Sequence, residues 1–267
     1  MTLRGLLAIV LRQLYLMRGS PTRVLPIFAW VAVDIVLWGF ISRYLGSVSH
    51  GGPDFIATLL GAVLLWDFFS RVMQGVTTAF LEDVWSRNFL NLFATPLSIG
   101  SYLGGLVLTS VLASLLGLVV MLVLASGVFG LSLAAYGLLV IPFMLVLFLF
   151  GIALGIFASA MVLRLGPASE WLVWPIPALL SPFAGVFYPL STLPAWMQAI
   201  GRGLPPSYVF EGMRGIVAGR GVSSVDLALG LGLAVLQIVF ACWLFSRVFK
   251  QAIRSGLLAR YSAESVA

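Results

Sequence analysis

Residues 134–163 read AAYGLLVIPFMLVLFLFGIALGIFASAMVL, a run of apolar and small side chains without a charged residue. An α-helix needs about 20 residues to cross the hydrocarbon core of a bilayer, and there it satisfies its own backbone hydrogen bonds. The run therefore predicts a transmembrane helix. Because it is longer than one crossing requires, we expect this helix to tilt or to project from the bilayer.

The composition of the whole chain agrees with this run. Of its 267 residues 61% are hydrophobic and 9% are charged, whereas soluble domains carry about 25% charged residues. A water-soluble enzyme is excluded, and the apolar content also excludes a disordered chain. The net charge of +6 does not indicate nucleic-acid binding, because the basic residues are spread along the chain rather than clustered on a face. The chain is predicted to be a polytopic membrane protein.

Six apolar runs define the predicted fold class, an all-α membrane protein with six transmembrane helices. We expect an N-terminal interfacial helix over 1–23, a membrane domain over 24–250 and a cytoplasmic tail over 251–267. The six runs are Val24–Ile41, Phe55–Phe80, Tyr102–Val128, Ala134–Leu163, Trp171–Tyr188 and Val225–Phe249.

The distribution of basic residues predicts the orientation. With both termini inside, ten basic residues fall in inner segments and four in outer segments, and Arg71 lies within a run. Because cytoplasmic loops carry an excess of Lys and Arg, both termini are placed in the cytoplasm of a cell that holds the chain in its inner membrane.

The first twenty residues have the pattern of an amphipathic helix in the inner interface. One face carries apolar side chains at steps of three and four, and Arg4, Ala8 and Arg12 lie on another face, near anionic headgroups. Such a helix is either an anchor or a lever that receives motion from a cytoplasmic partner, and the sequence favours the anchor. The apolar face holds Leu3, Leu7, Val10, Leu14 and Met17.

Three charged residues lie within predicted spans and away from their ends: Asp34 in the first, and Asp67 and Arg71 in the second. Asp67 and Arg71 are four residues apart, so they share a helix face and can pair. A charge at mid-bilayer costs about 3 kcal/mol, which pairing partly offsets. Two interpretations remain open: a buried pair that holds helices in register, with Asp34 as a third member, or a polar lining for a substrate path or proton relay.

Two of the segments that connect the apolar runs have sequence patterns that predict helices. Residues 82–98, EDVWSRNFLNLFATPLS, predict a short amphipathic helix that Pro96 ends. On the outer side, 187–196 read FYPLSTLPAW and 204–214 read LPPSYVFEGMR. Prolines and glycines divide this outer segment into two short half-helices within 189–220, re-entrant or interfacial, that open near Pro194 and Ser207. Glu211 and Arg214 are spaced to pair.

Sequence motifs for catalysis are missing. There is no glycine-rich phosphate loop ending in lysine, since Lys250 is the only lysine. One histidine and one cysteine cannot form a typical zinc site. We expect this chain to be no enzyme and to bind no metal.

The outer segment resembles the signature of the ABC type-2 permeases, the membrane subunits of ATP-binding-cassette exporters. Residues 82–98 are similar to the first cytoplasmic connection of that family, and the layout of the whole chain fits it. The resemblance implies a dimer, a homodimer in preference to a heterodimer, surrounded by lipid. It also implies a separate cytoplasmic ATPase that binds ATP and Mg and drives outward transport.

The resemblance also implies roles for particular residues. Residues 82–98 would be the coupling helix against the ATPase, with the contact residues Glu82, Asp83, Arg87, Asn88 and Pro96. The half-helices would line an outer gate that includes Pro189, Pro194, Trp196, Tyr208, Glu211 and Arg214. Asp34, Asp67 and Arg71 carry no role from the family.

Two other functions remain as alternatives. A stand-alone secondary transporter or channel would have internally related halves with broken helices at corresponding places. A lipid-modifying membrane enzyme would need paired acids or a metal cluster near one interface, and Glu82 with Asp83 is its only candidate.

Overall fold

The computed structural model describes residues 2–48, 53–86, 88–130 and 138–256. Every regular element in these ranges is helical, which confirms the all-α prediction. The α-helices are α1 Leu3–Arg18, α2 Pro21–Val48, α3 Pro53–Trp85, α4 Phe89–Phe93, α5 Ile99–Phe129, α6 Val140–Leu165, α7 Ile176–Ala184, α8 Ala195–Arg202, α9 Pro205–Val217 and α10 Ser224–Arg254.

Four helices in the described ranges are long and apolar enough to cross a membrane: α3 from Thr58 onward, α5, α6 and α10. They contain the second, third and sixth predicted runs and the fourth from Val140 onward, so the chain is a membrane protein. Leu138 and Leu139 of the fourth run precede α6, and its residues 134–137 lie outside the described residues. The first predicted run lies in α2, which is 28 residues long.

The fifth predicted run is not one continuous helix. A 3-10 turn covers Pro167–Leu172, and the nine-residue α7 follows and ends at Gly185, whose φ of 63° is left-handed. Pro175 precedes α7 and Pro182 lies inside it. The sequence predicts a bend or break here, because proline lacks the N–H that continues a helix.

The outer segment forms the two expected short helices, α8 and α9, after a 3-10 turn at Leu190–Thr192. Pro194 is the residue before α8, as predicted. The second start differs: Leu204 is the N-cap of α9, and Ser207 lies inside the helix and is buried. Pro205 and Pro206 occupy the first turn, where the missing N–H costs no hydrogen bond. Neither N-cap side chain makes a capping bond.

Helix α3 lies at the centre of the bundle and packs against α2, α5 and α6, while α10 packs against α6. The contact between α3 and α6 is close because two glycines of α6 face α3. A Cβ on Gly151 would lie 3.0 Å from the Phe69 carbonyl oxygen, and one on Gly155 would lie 2.8 Å from that of Met73. Small residues four apart let two helices approach closely in this way.

Aromatic contacts identify the two ends of the bundle. At one end Phe93 of α4 meets Tyr102 of α5 and Phe249 of α10, and we call this the inner end, following the predicted topology. At the other, outer end Trp66 of α3 packs on Phe210 of α9. The connection with α4 and the pair of α8 and α9 therefore lie at opposite ends.

Candidate functional site

A buried carboxylate joins three helices at the inner end. Asp83, at the end of α3, is fully buried. It forms a salt bridge with Arg12 of α1 and accepts a hydrogen bond of 2.8 Å from the Tyr102 hydroxyl of α5. A buried charge needs such partners. The amphipathic pattern of α1 predicts that Arg12 points toward lipid headgroups, and the resemblance implies that Asp83 contacts an ATPase. In the structure both side chains point into the bundle.

The connection after α3 is held down by aromatic side chains. Phe89 of α4 is buried and packs against Phe80 and Tyr102, and Phe93 packs against Tyr102 and Phe249. The predicted apolar face of this segment is thus confirmed. The predicted single helix over 82–98 is wrong in extent, because α3 continues to Trp85 and α4 has five residues.

Polar residues of the same connection lie on its outside. Asn91 and Thr95 are exposed, as is the apolar Pro96, and Asn88 is half-buried with its Oδ1 accepting from Asn91 Nδ2 at 3.2 Å. Arg87 lies outside the described residues. The connection therefore combines a buried aromatic side with an exposed polar side.

One inner contact was missed from the sequence. The Trp85 indole nitrogen donates a 2.7 Å hydrogen bond to Glu170 Oε2 in the 3-10 turn after α6. Glu170 is the only acid between the fourth and fifth predicted runs, which is the one sequence signal that could have drawn attention to it.

A cavity of about 700 Å³ lies between α1, α2, α3 and α5, with Trp174 on its wall; we call it the polar cavity for the charged and polar side chains set in its largely apolar surface. The three intramembrane charges meet there: Arg71 Nε is 2.7 Å from Asp67 Oδ2, and an Arg71 terminal nitrogen is 3.8 Å from Asp34 Oδ2. The predicted Asp67–Arg71 pair with Asp34 as third member is therefore present. Seven neutral polar residues share the wall: Gln13, Ser70, Gln74, Thr78, Thr109, Ser110 and Ser114.

Two wall residues of the cavity connect it with the inner end. Glu82, half-buried, lies one residue before Asp83. Gln13 follows Arg12 and is 3% exposed. The helical pattern of α1 did not single out Gln13, because it belongs to neither the apolar nor the arginine face.

A second ion pair ties the outer end together. Glu211 Oε1 accepts from Arg214 at 3.0 Å, which confirms the predicted pairing, and from the Leu190 backbone N–H at 2.7 Å. Arg214 also donates to the Val186 carbonyl at 3.4 Å. The turn over 186–190 is thereby fastened to α9.

The other outer residues flank this pair. The Tyr208 hydroxyl donates to the Arg202 carbonyl at 2.8 Å and so links α9 to α8. Pro189 precedes the 3-10 turn. Trp196 is 62% exposed, with its ring edge-on to Phe183 at 6.1 Å between centroids.

The family model for ABC-2 type transporters matches residues 4–218, from the start of α1 to just past α9. The matched range holds the inner connection, the polar cavity and the outer half-helices. No individual curated protein matches the chain.

Proposed function

Because the chain belongs to the ABC-2 type transporter family, we propose that it is the membrane-spanning permease subunit of an ATP-driven exporter. The family members are membrane subunits that are not themselves catalytic. In this proposal a separate cytoplasmic ATPase binds ATP and Mg, and this chain receives the motion.

The observation that carries the proposal is the two-sided connection after α3. Phe89 and Phe93 fix α4 to the core, while Asn91, Thr95 and Pro96 are exposed beside it. A helix such as α4, fixed to the core on one side and bordered by polar residues on the other, is suited to docking with a soluble partner. A force applied to α4 would be transmitted to the bundle directly, because its aromatic side chains pack against the core. We assign the ATPase contact to this side, with Asn88 and Pro96, and to Glu82 at its margin. Arg87 is kept as a contact residue on the family resemblance alone.

Asp83 receives a different role in this proposal. Since its carboxylate is buried against Arg12 and Tyr102, we assign it to positioning the connection rather than to touching the ATPase. Through this carboxylate a movement of the connection would reach α1 and α5 together. The contact supports the lever interpretation of α1 over a passive anchor.

We further propose that the chain crosses the membrane six times, with α2 and the broken segment 167–187 as the additional crossings. One end of that segment is bound at Trp85 through Glu170, and at its other end Phe187 stacks on Trp38 with 5.2 Å between ring centroids. The domain division into 1–23, 24–250 and 251–267 follows, with α8 and α9 as outer half-helices. Both termini then lie in the cytoplasm, beneath an inner membrane.

The substrate path lies within a dimer of the chain. Two copies of the chain form the exporter, and the substrate moves from the polar cavity toward the outer end. There the half-helices form the gate with Pro189, Pro194, Trp196, Tyr208, Glu211 and Arg214. The Glu211–Arg214 pair supports this role because it fastens the turn over 186–190 to α9.

Co-purification tests the proposal. The tagged chain is isolated from its native membrane, and bound ATPases are identified by mass spectrometry and by ATP hydrolysis. We expect an ATPase to co-purify with the unaltered chain, to be lost with Arg87→Glu and to remain with Arg220→Glu, an exposed arginine at the outer end. If no ATPase binds, or if the chain transports without one, the stand-alone transporter replaces this proposal.

A further inference from the structure

We propose that the polar cavity binds an amphipathic organic cation, which makes lipophilic cations the substrate class of this chain. The inference rests on the proposed function only in treating the cavity as part of the transport path. Binding of the cation to the cavity does not require the ATPase.

The charges on the wall favour a cation. Two carboxylates, Asp34 and Asp67, face one guanidinium, Arg71, at 3.8 and 2.7 Å. With both carboxylates ionised, this cluster carries one excess negative charge, and the side chains of Asp34, Asp67 and Arg71 are 37%, 18% and 15% exposed. A negative cluster in a low-dielectric cleft attracts cations and repels anions. Ionisable groups at membrane depth face a bundle interior or a water-filled cavity, and they mark substrate and ion paths.

A buried amide points to a ligand independently of the charges. Gln13 lies on the cavity wall and is 3% exposed. No group in the described part of the chain accepts a hydrogen bond from its Nε2. An unsatisfied buried donor costs about 1 to 3 kcal/mol, so such groups are usually satisfied by something. The Nε2 atom is enclosed in the ligand-free chain, so a ligand oxygen in the cavity would become its acceptor once the amide turns toward the cavity.

Size and aromatic surface define the rest of the ligand. A volume of about 700 Å³ lies within the range of pockets for drug-sized molecules. Trp30 and Trp174 line the cavity and keep 64% and 44% of their surface exposed. Indole rings bind both apolar groups and cations over their faces. The cavity thus fits a molecule with an apolar body, a positive centre near Asp34 and Asp67, and an oxygen near Gln13.

The first test uses the unaltered full-length chain in lipid nanodiscs and a tritium-labelled probe, tetraphenylphosphonium, in a scintillation proximity assay. Two competitors of nearly equal shape are compared: the cation methyltriphenylphosphonium and the neutral triphenylphosphine oxide. We expect saturable binding that the cation displaces at a concentration at least tenfold lower than the oxide. Equal displacement by the two, or no saturable binding, overturns the inference.

Substitutions then locate the site. Asp34→Asn should weaken tetraphenylphosphonium binding at least tenfold, and Asp226→Asn should leave it unchanged, because Asp226 is exposed at the start of α10. Unchanged binding by Asp34→Asn contradicts the assignment to this cavity. If Asp34→Asn does not elute as a folded species in size-exclusion chromatography, the competitor pair alone decides.

The role of Gln13 has its own readout. Gln13→Leu should weaken binding of a rhodamine ethyl ester, a fluorescent cation with an ester carbonyl, and should spare tetraphenylphosphonium, which has no oxygen. Equal effects on both ligands contradict the acceptor assignment. ATPase co-purification is measured on the same variants: a bound ATPase without cation binding refutes this inference alone, and cation binding without an ATPase refutes the proposed function alone.

Discussion

Arg12 and Asp83, 71 residues apart in sequence, form a salt bridge that fastens the N-terminal helix to the inner end of α3. The carboxylate is fully buried, and the guanidinium side chain is 25% exposed. Tyr102 donates to the second oxygen of the same carboxylate. A single buried group thus determines how three helices meet beside the connection that we assign to the ATPase.

Removal of this carboxylate should strongly destabilise the protein. Asp83→Ala leaves Arg12 without its counter-charge and Tyr102 without its acceptor, and breaking a buried pair from one side costs about 3 to 5 kcal/mol. The free energy of unfolding is measured by equilibrium unfolding in mixed micelles. Glu170→Ala is the matched control, since this half-buried acid at the same end loses only the Trp85 contact, for about 1 kcal/mol. Similar losses in the two variants would contradict the buried-pair account.

The contact between α3 and α6 gives a second stability prediction. Gly155→Ala should lower the melting temperature, because the new Cβ would lie 2.8 Å from both the Met73 carbonyl oxygen and Val76 Cβ. Gly127→Ala is the control, since a Cβ there meets nothing within 4 Å and alanine favours a helix. Melting is followed by size-exclusion chromatography of heated samples. If the Gly155→Ala protein were as stable as the Gly127→Ala protein, α3 and α6 could move apart without loss of thermal stability, which would contradict this prediction.

Local sequence patterns predicted the features that depend only on residues close together in one helix. The four-residue spacing of Asp67 and Arg71 and the three-residue spacing of Glu211 and Arg214 each gave a pair that the structure contains. The apolar runs located the long helices for the same reason, since a membrane span is a property of a continuous segment.

Contacts between distant segments were not predictable in this way. Arg12–Asp83 and Trp85–Glu170 depend on how the helices pack, which no local spacing encodes. The orientation of α1 was also beyond the pattern: Leu3 is 72% exposed while Val10, on the same predicted face, is buried. An apolar face suits lipid and protein equally, because lipid tails are as apolar as leucine.

The aromatic attachment of α4 should be necessary for stability. Phe89→Ala removes a fully buried ring that packs against Phe80 and Tyr102, and such a truncation costs about 3 to 5 kcal/mol. Leu116→Ala, a change at a 52% exposed position of α5, should cost far less because lipid replaces the lost contacts. Equilibrium unfolding compares the two variants. An equal cost would mean that α4 is not anchored by Phe89.

Cysteine labelling tests the orientation of the two ends. In a Cys242→Ala background, Ser191→Cys should react with a membrane-impermeant maleimide in intact cells, and Thr95→Cys only after permeabilisation, because both positions are exposed but lie at opposite ends. The Cys242→Ala protein alone should not react. Labelling of both positions from the same side would exclude the proposed topology.

The Glu211 carboxylate should control the order of the outer turn. Glu211→Ala removes the acceptor of the Leu190 amide and the counter-charge of Arg214, so amide hydrogen exchange over 186–193 should accelerate about tenfold or more. Asp226→Ala removes an exposed acid at the same end and should leave exchange in this segment unchanged. Co-purification of an ATPase should be retained in both variants, because neither change reaches the inner end. Unchanged exchange over 186–193 in Glu211→Ala would mean that the turn is ordered without the Leu190–Glu211 bond, and the gate role of Glu211 would then lose its support.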